Sequence, residues 1–424
     1  MTITGMTQPP LFPVSIKTTI PVQEAKLDNG ARVYLIEAGT EDIMRMEFVF
    51  RAGIVNDYIP LVASSANMML TEGTANYTAE ALNSKLDYYG IFLNLGCDRD
   101  TAGLTVYFLS RHFTKVLDLA SEILFKPAFY EKELDLLMKK RLSWYLVGRE
   151  KVQNLAMDRF FESVFGPHHP YGRQVHEEDF GNITPAVLKD FHTKFYTPET
   201  MAVIISGRIH SNAVDLLEKT FGGLHSKKIF IEENPAVLKG SARMKVHLKK
   251  PGAVQTAIRI GSSTINIRHP DYPGLKFLNV VLGGYFGSRL MKNIREKNGY
   301  TYGIHSRVSS FDQSGFKVIS TEVGNQYRKA AAQEIYREIM KLRAEPVPPE
   351  EMEVVRNFMS GEMVRMFDGP FALAESFKSI WEFGLDDNYY TKFAELIKTI
   401  TPEELMRLAE KYYNTDDLYE ITAG

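Results

Sequence analysis

The sharpest chemical signal in this 424-residue chain is the segment LGGYFGSRLMKNIREKNGYTYGIHS, residues 282–306. Gly283, Gly284 and Gly287 allow close backbone approach ahead of a short helix that carries Arg289 and Arg295. Asn298-Gly299 stops that helix, and a strand carrying Tyr302 is expected after it. Arg295 and Tyr302, seven residues apart across such a turn, can converge on a peptide carbonyl or on the oxyanion that develops from it. The glycines do not make a phosphate cradle, because the GxxxxGK[ST] spacing is missing. Gly283 and Gly284 are instead expected to let a substrate backbone come close.

Other reactive groups are sparse. Cys97 is the only cysteine, which excludes an intrachain disulfide, a cysteine-based zinc site and an iron–sulfur cluster; a small buried hydrophobe is expected there. His168 and His169 are adjacent and would diverge on a helix, and His176-Glu177-Glu178 has the wrong spacing for a metal, so these read as surface or loop groups. Lys plus Arg number 50 against 52 for Asp plus Glu, a net charge of -2, which argues against nucleic acid or an anionic membrane as partner. The opening MTITGMTQPPLFPV lacks the basic start and apolar stretch of an export signal, and no apolar run is long enough for a membrane helix. A cytoplasmic location is expected, or a periplasmic one if a signal has been removed.

The elements that must position these residues come in two copies. With 44% hydrophobic and 24% charged residues the chain has material for packed cores, and its length implies more than one. Residues 183–207, ITPAVLKDFHTKFYTPETMAVIISG, and 400–424, ITPEELMRLAEKYYNTDDLYEITAG, share eight of 25 positions without a gap, among them Thr184/Thr401, Pro185/Pro402, Tyr196/Tyr413 and Gly207/Gly424. Each copy reads as Thr cap, Pro at the first helical position, a helix, a turn and a strand. Alternating runs at Met46–Phe50 and Thr256–Ile260 open the two copies as strands. The expected class is α+β: two homologous halves, each a mainly antiparallel sheet with helices on one face. The boundaries are 1–221 and 247–424, joined by a connector over 222–246 that lacks helical periodicity.

The duplicated halves, SRLMKNIREKNGYTYG, FGPHHPYGR (165–173) and ITP…KFYTPETMAVIISG together resemble the pitrilysin/insulinase family of zinc peptidases, which includes mitochondrial processing peptidase, over roughly residues 20–424. In that family an active first half carries His-x-x-Glu-His on a helix and a third ligand, a Glu, near 77 residues later. Anchoring on Gly73-Thr74 places Ser64, Asn67 and Met68 at the three motif positions, and the count onward reaches Trp144-Tyr145, with Glu150 as the nearest carboxylate. The resemblance therefore implies that this chain holds no metal and that Met68, Met69 and Leu70 pack in the interior. It also implies that Arg295 and Tyr302 match the pair that reaches from the second half to the substrate. The expected role is that of a zinc-free subunit of a heterodimeric metallopeptidase, inactive alone. It would supply Arg295 and Tyr302 to a homologous, zinc-binding partner that carries His-x-x-Glu-His, and could form a homodimer when alone. The alternative is a purely structural or peptide-binding member. In either case the two halves are expected to enclose a chamber.

Overall fold

The computed structural model describes residues 18–224, 240–242 and 244–424. The N-terminal stretch read for an export signal and most of the expected connector lie outside these residues. The first half contributes β1 (Gln23–Lys26), β2 (Arg32–Glu37), β3 (Ile43–Phe50), α1 (Val62–Met68), α2 (Ala79–Tyr88), β4 (Phe92–Cys97), β5 (Ala102–Leu109), α3 (Phe113–Phe125), α4 (Glu131–Arg149), α5 (Val152–Phe165), α6 (Pro185–Phe195), β6 (Met201–Gly207) and α7 (Ala213–Leu217). The second contributes β7 (Lys245–Leu248), β8 (Gln255–Thr264), α8 (Tyr272–Asn279), β9 (Ile304–Ser310), β10 (Gly315–Gly324), α9 (Arg328–Ala344), α10 (Pro349–Met366), α11 (Gly369–Glu382), α12 (Tyr389–Thr399), α13 (Pro402–Tyr412) and β11 (Tyr419–Ala423). Strand β7 begins inside the stretch read as connector. Among the described residues, no helix is long and apolar enough to cross a membrane.

The two sheets share one topology over five strands, and the first adds β1 at its edge. In the order β1-β2-β6-β3-β5-β4, strand β6 runs parallel to β2 and antiparallel to β3. In the order β7-β11-β8-β10-β9, strand β11 runs parallel to β7 and antiparallel to β8. The repeated residues do the same work twice. Thr184 and Thr401 cap α6 and α13 by accepting the amides of Val187 and Glu404. A Cβ on Gly207 would strike the Ile43 carbonyl, and one on Gly424 the Gln255 carbonyl, so the end of each closing strand admits only hydrogen at that position.

The expected helical layer covers one face of each sheet, and the other face is not left to solvent. Helix α5 leaves the first half and lies on β8 and β11, burying Ala156, Phe160 and Phe165 with Ala257, Phe316 and Ile421. Helix α11 makes the reciprocal crossing onto β6 and β2, where Phe377 and Ile380 meet Tyr34, Ile36 and Ile204. Each half thus lends one helix to the sheet of the other. Burying a Phe or Ile side chain is worth about 1.5–3 kcal/mol, so the exchange is a major part of the cohesion between halves. Charges on the covered faces pin both crossings. Glu47 of β3 takes Lys378 of α11 at 2.7 Å, and Arg259 of β8 donates to the Gln153 carbonyl of α5 at 3.3 Å.

Candidate functional site

In the second half, α8 widens into a π-helical turn over Val280–Gly284, and a second π-helical segment, Met291–Lys297, follows the Tyr285–Ser288 bend. Such wide turns concentrate at functional sites because they push the chain out of regular register. Gly283 needs to be glycine: a Cβ there would lie 2.8 Å from the Ser306 amide nitrogen. Gly284 meets its neighbours at 3.2 Å, a milder constraint. Asn298 and Gly299 (φ 64) end the second segment, as the sequence implies.

Tyr302 lies not on a strand but at the bend two residues before β9, because the side chain of Thr301 pins the backbone there. Thr301 Oγ1 donates to the Glu322 carbonyl (2.7 Å) and accepts the Gly303 amide (3.1 Å). Between these anchored neighbours the Tyr302 side chain is 96% exposed. Arg295 comes from the π-helical segment, and its guanidinium lies 4.5 Å over the Phe286 ring. Phe286, Tyr302, Gly283, Gly284, Tyr285 and His305 line one cavity of about 670 Å³. The fold therefore brings Tyr302, Gly283 and Gly284 to one opening, whereas Arg295 does not line it and reaches it only through Phe286. Arg289, on the same stretch, is held by Glu351 at 2.8–3.2 Å.

The first-half residues lie on and beside α1. Asn67 is buried and turned into the sheet, where its Nδ2 donates to the Gly103 carbonyl (3.0 Å) and the Tyr196 hydroxyl (3.1 Å). Met69 and Leu70 are fully buried as expected, but Met68 is only half-buried, because α1 gives way after it to a tighter turn over Met69–Thr71. Trp144 is exposed beneath Lys140, Tyr145 donates to the Val175 carbonyl at 3.0 Å, and Glu150 pairs with Lys250 at 2.7 Å. Of these only Tyr145 shares a cavity with Ser64, and its hydroxyl is turned to Val175.

The residue that does face Ser64 is one the sequence reading passed over. Arg141, about one helical turn before Trp144-Tyr145 on α4, donates to Ser64 Oγ at 2.8 Å and Ser65 Oγ at 2.5 Å. Burial depresses its proton affinity, with Cys97 and Asp57 acting in the opposite direction. Asp57 accepts the amides of Leu61 (3.2 Å) and Ala63 (2.7 Å) at the start of α1, and burial pushes its carboxyl up to about 6. The i, i+3/i+4 face shared with Trp144-Tyr145 was the available signal for Arg141. A zinc ion does not fit here: the Ser64 hydroxyl is taken, the Asn67 amide points away, and a fixed guanidinium already supplies the positive charge. No cluster of three metal-ligating side chains occurs among the described residues.

Two other expectations change. His169 is buried rather than superficial: its Nδ1 accepts the Tyr171 amide at 3.0 Å and its Nε2 reaches Gln313 Oε1 at 3.1 Å, tying FGPHHPYGR to the β9–β10 turn. Cys97 is half-buried, its thiol pushed up to about 12 by burial. As for a chamber, Ser64 lines a first-half cavity of about 300 Å³ that has no lining residue in common with the cavity at Tyr302.

Comparison with known proteins adds independent findings. Residues 54–169 match the family described as Insulinase (Peptidase family M16), and residues 182–359 match the Peptidase M16 inactive domain. The chain is 22% identical over 298 residues to a protein of Bacillus subtilis named uncharacterized zinc protease YmxG, covering 70% of this chain and 72% of that one. It is 21% identical over 363 residues to a Helicobacter pylori protein named non-peptidase homolog YmxG, covering 82% and 81%. The fold is similar to a crystal structure of a peptidase M16 inactive domain from Pseudomonas fluorescens, with a TM-score of 0.85, 23% identity and coverage of 95% and 98%.

Proposed function

The chain belongs to the insulinase family of peptidases, M16, and on that premise we propose that it is a non-catalytic member that completes the active site of a homologous zinc-bearing subunit. It binds no zinc and cleaves no peptide alone, because Ser64, Asn67 and Met68 offer a committed hydroxyl, an inward amide and a thioether. Its own contribution is the pair Arg295 and Tyr302, presented to a partner chain that carries His-x-x-Glu-His. The names inactive domain and non-peptidase homolog among its relatives support the first part of this reading.

The observation that carries the second part is Tyr302. A tyrosine 96% exposed between backbone positions locked by Thr301 is presented outward, ready for a surface that docks against it. Docked, its hydroxyl and the Arg295 guanidinium would polarise the scissile carbonyl and steady the oxyanion, an interaction stronger in the transition state than in the ground state. The domain boundaries at 1–221, 222–246 and 247–424 belong to the same proposal. One observation favours a structural or peptide-binding role instead: Arg295 already has an intrachain partner in Phe286.

Kinetics of the reconstituted complex separate the readings. Tyr302→Phe or Arg295→Ala should lower kcat on the order of 10²-fold, about 2.7 kcal/mol, with assembly and zinc content unchanged. Wild-type turnover from an assembled complex carrying both substitutions would end the catalytic-companion reading and leave the structural one.

A further inference from the structure

Two arginines beside α1 feel nearby carboxylates, Asp57 for both and Asp100 and Asp158 for Arg99, without pairing directly with any of them. Arg99, on the turn from β4 to β5, lies 5.1 Å over the Phe161 ring, and its hydrogen bond to the Pro170 carbonyl is long at 3.5 Å. Arg141 is bound only to the hydroxyls of Ser64 and Ser65. Neither makes an ion pair among the described residues.

Arg99 and Arg173 line the 300 Å³ cavity together with Asp57, Ser64, Tyr145 and Asp158, and Arg141 stands directly behind Ser64. The two acids do not neutralise this group. Asp57 spends its oxygens on the amides at the start of α1, with Arg173 3.9 Å away, and Asp158 is exposed at the cavity mouth. Asp100, next to Arg99 in the chain, spends its oxygens on the Tyr171 hydroxyl and the Asp312 amide (2.8 Å), so no carboxylate occupies the Arg99 fork and its donors remain for a ligand. A guanidinium fork suits a carboxylate because two parallel N–H donors meet two oxygens.

We propose that this cavity is a carboxylate-binding site whose ligand is the C-terminal end of a peptide. The volume is far larger than an inorganic anion needs, and Leu61, Phe161, Pro170 and Val175 supply apolar wall for the last side chain. In this reading Arg141 keeps a positive charge beside α1 without any means of activating water. The proposal rests on the first half alone and is independent of the Arg295–Tyr302 reading.

Titration calorimetry of the isolated full-length chain tests it, with N-acetyl-Ala-Ala-Leu as the free acid, the same peptide as its C-terminal amide, and inorganic phosphate as probes. The free acid should bind at least about tenfold more tightly than the amide or phosphate, as expected for a charge-assisted pair in a desolvated pocket. Arg99→Gln should erase that preference. Asp158→Asn, at an exposed position that leaves the fold intact, should strengthen binding of the acid and not of the amide. Equal binding of acid and amide, no binding of either up to millimolar concentration, or phosphate binding as tightly as the acid would overturn the proposal.

Discussion

The two halves share one topology and differ where chemistry would be done. In the second half the outer strand β9 is closed, because the carbonyl oxygens of Ser306 and Val308 accept from Asn279 (3.0 Å) and Lys276 (3.3 Å) of α8. In the first half the equivalent outer strand β4 has no such side-chain bond among the described residues, and its residues alternate between exposed and half-buried. An open edge is a template for an extended peptide, so the first half keeps a surface that the second has sealed. Conversely, the second half presents an exposed tyrosine on the cavity whose Phe286 wall carries Arg295, whereas the first half has turned Ser64, Ser65 and Asn67 onto bonded partners. A duplicated fold has thus divided binding surface and presented side chains between its copies.

The comparison breaks most directly at the exchanged helices. Phe160→Ala on α5 removes a fully buried ring from the second sheet, and a loss of about 3–5 kcal/mol in urea denaturation is expected. A much smaller loss would mean that the second sheet does not depend on the helix it borrows.

A second contrast concerns a buried cation. Lys317 lies on β10 with its Nζ 2.5 Å from Ser262 Oγ and 5.4 Å from the Tyr413 ring, and burial lowers its pKa to about 8. Relative to about 10.4 unfolded, a lowered folded value means that stability is lost as pH falls from about 10.4 to about 8, and the full cost stays in force below that. Lys317→Met should therefore gain about 3 kcal/mol at pH 7, with the advantage vanishing near pH 11. Equal stability of both proteins at pH 7 would show that the amine is solvated.

The smallest effect distinguishes the start of α1. Asp57 has a folded value of about 6, above the unfolded value of about 3.9, so its contribution to stability falls as pH rises between these points and is constant above them. Asp57→Asn should gain on wild type by up to about 2.7 kcal/mol across that window, read from denaturation midpoints at pH 4 and pH 7. A pH-independent difference would place the charge in solvent.

Much of the architecture was legible because the repeat at 183–207 and 400–424 carries its own physics: a Thr cap, a Pro, a buried Tyr and a Gly at a crossing too close for a Cβ. The loop holding Tyr302 was legible through its glycines and the Asn298-Gly299 stop. What stayed hidden depends on contacts across large sequence separations. Neither the packing of α5 on β8 nor the meeting of Arg141 with Ser64 has a local pattern. α4 buries only Leu134 and Met138, so its apolar pattern does not say which neighbour it finds. The burial of His169 was missed for the same reason, since Gln313 is its partner from the other half.

The reciprocal lending of helices also constrains how the chain is made. During synthesis α5 emerges about a hundred residues before β8, and β11, an interior strand of its sheet, contains the last residues but one. Helix α5 must therefore wait with its apolar face uncovered until β8 and β11 have both been made. Contacts of such long range fold slowly and expose sticky intermediates. Loss of β11 would leave that sheet unclosed and α5 without half of its seat, while α11, which packs on β2 and β6, would keep its own.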